Sequence, residues 1–277
     1  MRLALILFTL LPILAYSQVV QQDVAELQGI DVEENLGGTI PLDAEVIDHN
    51  GNKVLLSSYF DGSKPVLFVL HYSDCPMLCS MVLNGVSNGV RELGFKAGGD
   101  YRILSLSVNP HEETERASET WDRYHKTLKV GSTPDAWSFL TADSLTIKEI
   151  ADSLGFRYYL VEESGQYAHP AVLHVLSPEG KITRYLYGVE FKERDLRLAV
   201  VEAGEGKVGT TIDRIILYCF HYDPDANSYT AFAENIMRLG GFVTMFVLGG
   251  VIFGLWQRDK RKTAMAQREK ALSEQDH

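Results

Sequence analysis

A continuous apolar run leads directly into two closely spaced cysteines, and this junction constrains the fold more than any other part of the sequence. Residues 65–72 (PVLFVLHY) are apolar at nearly every position, which is typical of a strand buried on both faces of a sheet. Residues 77–93 carry apolar side chains at helical spacing. Cys75 and Cys79 therefore lie where a buried strand ends and a helix begins.

The segments on either side of this junction predict an α/β domain. Residues 44–48 and 53–56 flank an Asn-Gly turn and predict a β-hairpin. The patterns that follow the junction predict a strand at 101–108, helices at 112–129 and 143–154, a hairpin at 171–176 and 181–187, and a last helix at 191–203. Short connections of this kind favour parallel strands joined by right-handed crossovers. The order predicts a thioredoxin-like fold, with a central mixed sheet flanked by helices and an N-terminal β-hairpin extension.

Apolar segments near both ends of the chain predict export and membrane anchoring. Residues 1–17 have Arg2 as their only charge, then an apolar stretch and a small-residue ending, which is the order of a secretory signal peptide. An uncleaved anchor is the alternative, and either one exports the domain that follows. Residues 239–256 are uncharged and long enough for a membrane-spanning helix. Four basic residues within 258–262 follow, and they predict that this end is cytoplasmic.

These features divide the chain into six expected parts. They are a signal peptide (1–17), an extended lead-in (18–40), the thioredoxin-like domain (41–203), a linker (204–235), a transmembrane helix (236–257) and a cytoplasmic tail (258–277). The domain is expected on the periplasmic or outer side of the plasma (inner) membrane. The formal net charge of −11 argues against nucleic acid as a partner, because phosphate binding needs a basic surface.

The cysteine pair carries the chemistry that the sequence indicates. The start of a helix presents free N–H groups and a positive partial charge, which stabilise thiolates and lower their pKa. At a spacing of four residues, Cys75 and Cys79 place both sulfurs on one face, and the same spacing is compatible with a disulfide. A structural bridge usually closes a longer loop, where the entropic gain is larger. A functional pair is therefore favoured over a structural one.

A histidine is the third ligand that such a pair calls for. Soft thiolates select Cu(I) above all, and a neutral imidazole completes a site that also holds Cu(II). Of the eight histidines, His169 is the best candidate, because it lies in the loop 165–170 just before a predicted strand. In a thioredoxin-like fold that loop abuts the start of the cysteine-bearing helix. Cys75, Cys79 and His169 are therefore candidate copper ligands, and the alternative for the histidine is a structural role.

Three strings, in this order, resemble the SCO/SenC family over roughly residues 38–203. They are KPVLFVLHYSDCPMLC, LSLSVNPHEET and AHPAVLHVLSPEGKITRYLYG. The resemblance implies a copper site in which Cys75 and Cys79 match the family's two cysteines and His169 matches its histidine. It also implies a copper chaperone or thiol-disulfide reductant for the binuclear CuA centre of cytochrome c oxidase. The family commonly has Asp before this histidine, where this chain has Ala168, so we expect the imidazole to lack that orienting carboxylate.

Three functions remain open at this point. The leading one is an exported, membrane-anchored copper chaperone whose partners are a copper donor and the oxidase subunit carrying CuA, or another respiratory copper protein. The second is a thiol-disulfide oxidoreductase, in which one cysteine attacks a partner's disulfide and the other resolves it. The third is a redox or copper sensor. It is the least favoured, because residues 257–277 contain no recognisable signalling domain.

Asp74 directly precedes the first cysteine, and two interpretations apply to it. Its negative charge opposes thiolate formation. This favours metal binding over fast thiol exchange, because the ion supplies its own positive charge. Alternatively, Asp74 caps the helix that follows, which is a common role of Asp.

A second pair of candidate ligands lies outside the predicted domain. Cys219 and His221 are two residues apart, so on a strand they share one face and offer a workable metal chelate. They are candidates for an auxiliary, transient copper position, and Cys219 is also a candidate for a mixed disulfide with Cys75 or Cys79. The alternative is a free thiol packed against the domain.

Overall fold

A computed structural model describes residues 30–75, 78–128, 132–205, 217, 220–223, 228–231, 235, 237–238 and 240–257. The predicted signal peptide (1–17) and cytoplasmic tail (258–277) lie outside these residues. The strands are β1 (Glu45–Asp48), β2 (Lys53–Leu55), β3 (Val66–His71), β4 (Arg102–Ser107), β5 (Trp137–Thr141), β6 (Tyr159–Val161), β7 (Gln166–Ala168), β8 (Val172–Leu176), β9 (Ile182–Tyr187), β10 (Phe220–Asp223) and β11 (Ser228–Ala231). The helices are α1 (Leu78–Glu92), α2 (Thr114–His125), α3 (Ser144–Ser153), α4 (Glu193–Ala203) and α5 (Gly240–Gln257), with a short 3-10 helix at Leu56–Tyr59.

The main sheet has seven strands in the order β2-β1-β5-β4-β3-β8-β9. Strands β3, β4 and β5 are parallel, whereas β1 and β8 run antiparallel to their neighbours β5 and β3. Every residue of the central strand β3 is buried, as its continuous apolar sequence predicts. The predicted mixed sheet with flanking helices is therefore confirmed. The sequence patterns did not include β5, which extends the parallel part of the sheet.

Helices cover both faces of this sheet. On one face, Val82, Val86 and Val90 of α1 share an apolar cluster with Leu67 and Val69 of β3 and with α4. These positions recur every four residues because they form the buried stripe of the helix. On the other face, α3 and the 3-10 helix join the opposite side chains of β3 in a second cluster. Full burial of one such valine contributes about 1.5–3 kcal/mol, so the layers fix the start of α1 against the end of β3.

The hairpin β10–β11 packs onto α4 through Tyr229, which is only 1% exposed. The Tyr229 hydroxyl donates to the Glu202 carboxylate at 2.7 Å, and its backbone N–H donates to Asp195 Oδ1 at 3.2 Å. Arg194 in turn donates to the Tyr229 carbonyl at 2.7 Å. These contacts attach residues beyond α4 to the domain.

Helix α5 differs from the other helices in its composition and exposure. It is the one helix, in the part of the chain that the structure describes, that is long and apolar enough to cross a membrane. Its side chains are exposed along its whole length. Residues 240–256 of the apolar stretch identified in the sequence lie in this helix.

Candidate metal centre

The two cysteines lie between the end of β3 and the first turn of α1. The Cys75 N–H donates to the Tyr72 carbonyl at 3.3 Å, which turns the chain after the strand. The Cys79 N–H donates to Cys75 Sγ at 3.2 Å, so an amide at the start of the helix binds the first sulfur. No disulfide joins Cys75 and Cys79; Cys75 is half-buried and Cys79 is 2% exposed. The first cysteine is therefore the more accessible of the two.

His169 approaches the pair from a different part of the chain. It lies between β7 and β8, and β8 pairs antiparallel with β3 so that Leu173 is opposite Val69. Residues just before β8 therefore lie beside the end of β3, where the cysteines follow. His169 Nε2 is 2.9 Å from Cys79 Sγ. The potential ligand atoms of Cys75, Cys79 and His169 all lie within 4.8 Å of one another.

A backbone carbonyl fixes the orientation of the imidazole. His169 Nδ1 lies 2.9 Å from the Pro170 carbonyl oxygen, and because a carbonyl only accepts, Nδ1 carries the proton that it donates. In the neutral ring Nε2 is then unprotonated, and its lone pair faces the Cys79 sulfur. The Pro170 carbonyl supplies the orienting contact that we expected to be missing beside Ala168.

The electrostatics of Cys79 differ from the sequence prediction. A hydrogen bond with Cys75, followed by burial, raises the pKa of the Cys79 thiol well above its ordinary value. The expected lowering by the helix start is therefore wrong for this residue. The reason is that Cys79 is buried beside a second sulfur, and low polarity and neighbouring negative charge both disfavour a thiolate.

Asp74 is held by a side chain of α2. Its carboxylate accepts from Arg116 Nε at 3.0 Å and Nη2 at 2.9 Å. Helix α1 is described from Leu78 onwards and residues 76–77 lie outside the described residues, so the helix-cap interpretation stays a prediction. The guanidinium compensates the negative charge that the sequence places beside Cys75.

Aromatic rings enclose the imidazole on two sides. The Tyr72 ring meets the His169 ring edge-on at 6.0 Å, and the Phe156 ring stacks on it at 6.0 Å. Tyr167 lies behind Tyr72 at 5.5 Å. Burial and the neighbouring Cys75 raise the pKa of Tyr72, which keeps its phenol neutral. These aromatic residues were not predicted as neighbours of the site, because aromatic side chains in strands and loops are usually core residues.

The auxiliary pair stays a prediction. Cys219 lies outside the described residues, and of His221 the structure gives the backbone, which pairs with Thr230 in the hairpin β10–β11. Within the described residues, Cys75, Cys79 and His169 form the one group of three or more His, Cys, Asp or Glu side chains with metal-ligand spacing.

Fold and site together define a thioredoxin-like protein with a CxxxC pair at a strand–helix junction and a histidine facing it. The family model described as SCO1/SenC matches residues 38–201, which is more than half of the chain. The chain belongs to the SCO1/SenC family.

Solved structures show the same fold. A candidate electron transfer protein from Aquifex aeolicus VF5 is 25% identical with a TM-score of 0.54, and the match covers 61% of this chain and 94% of that chain. A candidate electron transport protein from the same organism is 25% identical with a TM-score of 0.51, over 61% and 98%. Arabidopsis thaliana ScoI with copper bound is 21% identical with a TM-score of 0.48, over 61% and 97%. No curated protein sequence matches the chain.

Proposed function

We propose that this protein binds copper through Cys75, Cys79 and His169 and delivers it to a respiratory copper protein. The observation that carries the proposal is the convergence of two sulfurs and an unprotonated imidazole nitrogen within 4.8 Å. Thiolate and imidazole ligands suit Cu(I) and also Cu(II). Membership of the SCO1/SenC family supports the same function, with the CuA centre of cytochrome c oxidase as the target and a separate copper donor.

Each ligand has a distinct part in loading the ion. Cys75 is the accessible sulfur and makes the first contact with incoming copper. His169 Nε2 needs no proton loss, because its proton is on Nδ1. Cys79 must lose its proton as the ion arrives, and the positive charge of the ion offsets the cost of a second buried thiolate.

Helix α5 bears on where the protein carries out this function. We propose that α5 anchors the chain in the plasma membrane, with the copper site on the outer side and residues 258–277 inside. The exposed apolar surface of α5 supports the anchoring. The basic residues within 258–262 support the orientation.

Thiol-disulfide exchange is the second candidate function, and the closeness of the Cys75 and Cys79 sulfurs, which no disulfide joins, favours it. In this reaction the Cys75 thiolate attacks a partner's disulfide, and Cys79 then resolves the mixed disulfide while the partner leaves as a dithiol. The partner gains two electrons and the pair becomes cystine. His169 has no necessary role in this chemistry.

Copper titration of the reduced full chain tests the proposal. We expect His169→Ala to weaken Cu(I) binding by at least about tenfold, measured against a competing chelator, because it removes a ligand. His111→Ala removes an exposed histidine and serves as the matched control. Wild-type affinity in His169→Ala would show that the three-ligand site is wrong. Reduction of a disulfide substrate that survives in His169→Ala but not in Cys75→Ser would favour the exchange reaction.

A further inference from the structure

The segment that carries Cys75 is held by side chains of another element. Residues Ser73 and Asp74 connect β3 to the cysteine, and they belong to neither a strand nor a helix. Glu112, Arg116 and Thr120 bind them from the start of α2 and the residues just before it. Arg116 and Thr120 are four residues apart and lie on one side of α2, and Glu112 lies two residues before the helix begins. We call the three residues the α2 clasp.

Glu112 makes the strongest contacts of the clasp. Its carboxylate accepts from the Ser73 N–H at 2.9 Å, from the Ser73 hydroxyl at 2.5 Å and from the Ser107 hydroxyl at 2.6 Å. Ser107 is the last residue of β4, so one carboxylate joins the end of β4 to the Cys75 segment. Hydrogen bonds to an ionised acceptor are roughly twice as strong as neutral ones.

Arg116 and Thr120 make further contacts with the same segment. Arg116 donates to Asp74 and also to Glu119, which keeps the guanidinium in line with the segment. Thr120 Oγ1 lies 3.1 Å from Ser73 Oγ and donates to the Arg116 carbonyl. Because the Arg116–Asp74 ion pair is exposed, it contributes little to the free energy of folding. Its effect is to orient the backbone that leads to Cys75. Ser73 is thereby held by its backbone N–H and its hydroxyl, and Asp74 by its carboxylate.

We propose that Glu112 and Arg116 are positioning residues for the metal centre. They hold Ser73 and Asp74 so that Cys75 Sγ stays against the Cys79 N–H and within reach of His169. The inference rests on the proposed copper function, since it concerns the geometry of the same site. Loss of a group that orients a metal ligand costs 10–100-fold in affinity in metal sites generally. We expect the lower end of that range, because the clasp acts through the backbone.

Glu112→Gln is the variant that tests the clasp. It keeps the size of the side chain but removes its charge and replaces one accepting oxygen with an amide that donates, so at least one of the hydroxyls of Ser73 and Ser107 can no longer donate to it as it does to the carboxylate. We expect Cu(I) affinity of the full chain to fall about tenfold, and the thiolate-to-Cu(II) absorption band to shift. Glu115→Gln makes the same charge change one turn away, on an exposed side chain, and should leave both readings unchanged.

Ser73→Ala tests the clasp from the other side and is decisive if Glu112→Gln does not fold. It removes the hydroxyl that Glu112 binds, so we expect a similar loss of affinity. The double variant should bind little more weakly than either single variant, because both remove one interaction. The unfolding temperature shows whether the Glu112→Gln chain is folded. If the folded variant has the Cu(I) affinity and the Cu(II) absorption band of the wild type, the clasp is overturned and the proposed copper function is not. A wild-type chain that binds no copper would overturn the proposed function and the clasp with it.

Discussion

Acid is expected to destabilise this domain through His174, a strand residue five positions after the candidate ligand His169. The His174 ring is fully buried on β8, 5.3 Å from the Tyr185 ring and 6.0 Å from the Phe156 ring. Its Nδ1 donates to the Phe68 carbonyl at 3.3 Å, and its Nε2 is buried without a hydrogen-bond partner. An imidazolium here would leave one charged N–H unsatisfied.

The size of the effect follows from the pKa of His174. Burial lowers this pKa from 6.5 to about 4, although the bond to Phe68 acts against it. The unfolded chain therefore takes up a proton near pH 6.5, whereas the folded chain resists it until about pH 4, so stability falls as pH falls between these values. One pKa unit corresponds to about 1.4 kcal/mol. The contribution of His174 that is present above pH 6.5 and lost by pH 4 is thus about 3 kcal/mol.

Urea unfolding of wild type and His174→Asn between pH 7.5 and 4 measures this contribution. Asn keeps a donor near the position of Nδ1 but does not titrate in this range. Burial also lowers the pKa of His71 and His49, so both proteins lose stability in acid, and the difference between their slopes isolates His174. We expect the wild type to lose about 3 kcal/mol more than the variant. Equal pH dependence in the two proteins would refute the reasoning.

Two further predictions concern the thiols and the C-terminal hairpin. Iodoacetamide should modify Cys75 well before Cys79, as read by mass spectrometry of peptides, because Cys79 is buried and its pKa is raised; equal rates would contradict this description. Tyr229→Phe should lower the free energy of unfolding by about 1.5 kcal/mol, because it removes a buried donor to the Glu202 carboxylate. An unchanged urea midpoint would show that the hairpin does not depend on this bond.

The junction at the cysteines was predictable because its signals are local. The apolar run of β3 and the helical spacing of α1 each lie within a short window, so Cys75 and Cys79 were placed between them from the sequence. Strand β5 was missed because its five residues, WSFLT, form a short apolar run whose period does not separate strand from helix. Its burial depends on β4 and β1 as neighbours, which the local sequence does not show.

The surroundings of the site were harder to predict because they depend on tertiary contacts. His169 lies 90 residues from Cys79 in sequence, and the predicted fold together with the resemblance to a family, not spacing, pointed to it. The carbonyl of Pro170 orients the ring, yet every residue has a carbonyl, so no residue type marks this contact. Glu112 and Arg116 look like two of many charges on a polar helix until the strand–helix packing directs them to Ser73 and Asp74.

The burial of Cys79 separates the two candidate functions on physical grounds. Thiol exchange needs a thiolate twice, once for attack and once for resolution, and the second step falls to a sulfur whose pKa burial and Cys75 raise. Metal binding also deprotonates Cys79, but there the ion adds positive charge at the moment the proton leaves. His169 adds a lone pair that copper uses and disulfide exchange does not. We infer that the site suits copper better than exchange, because only the metal compensates the buried second thiolate.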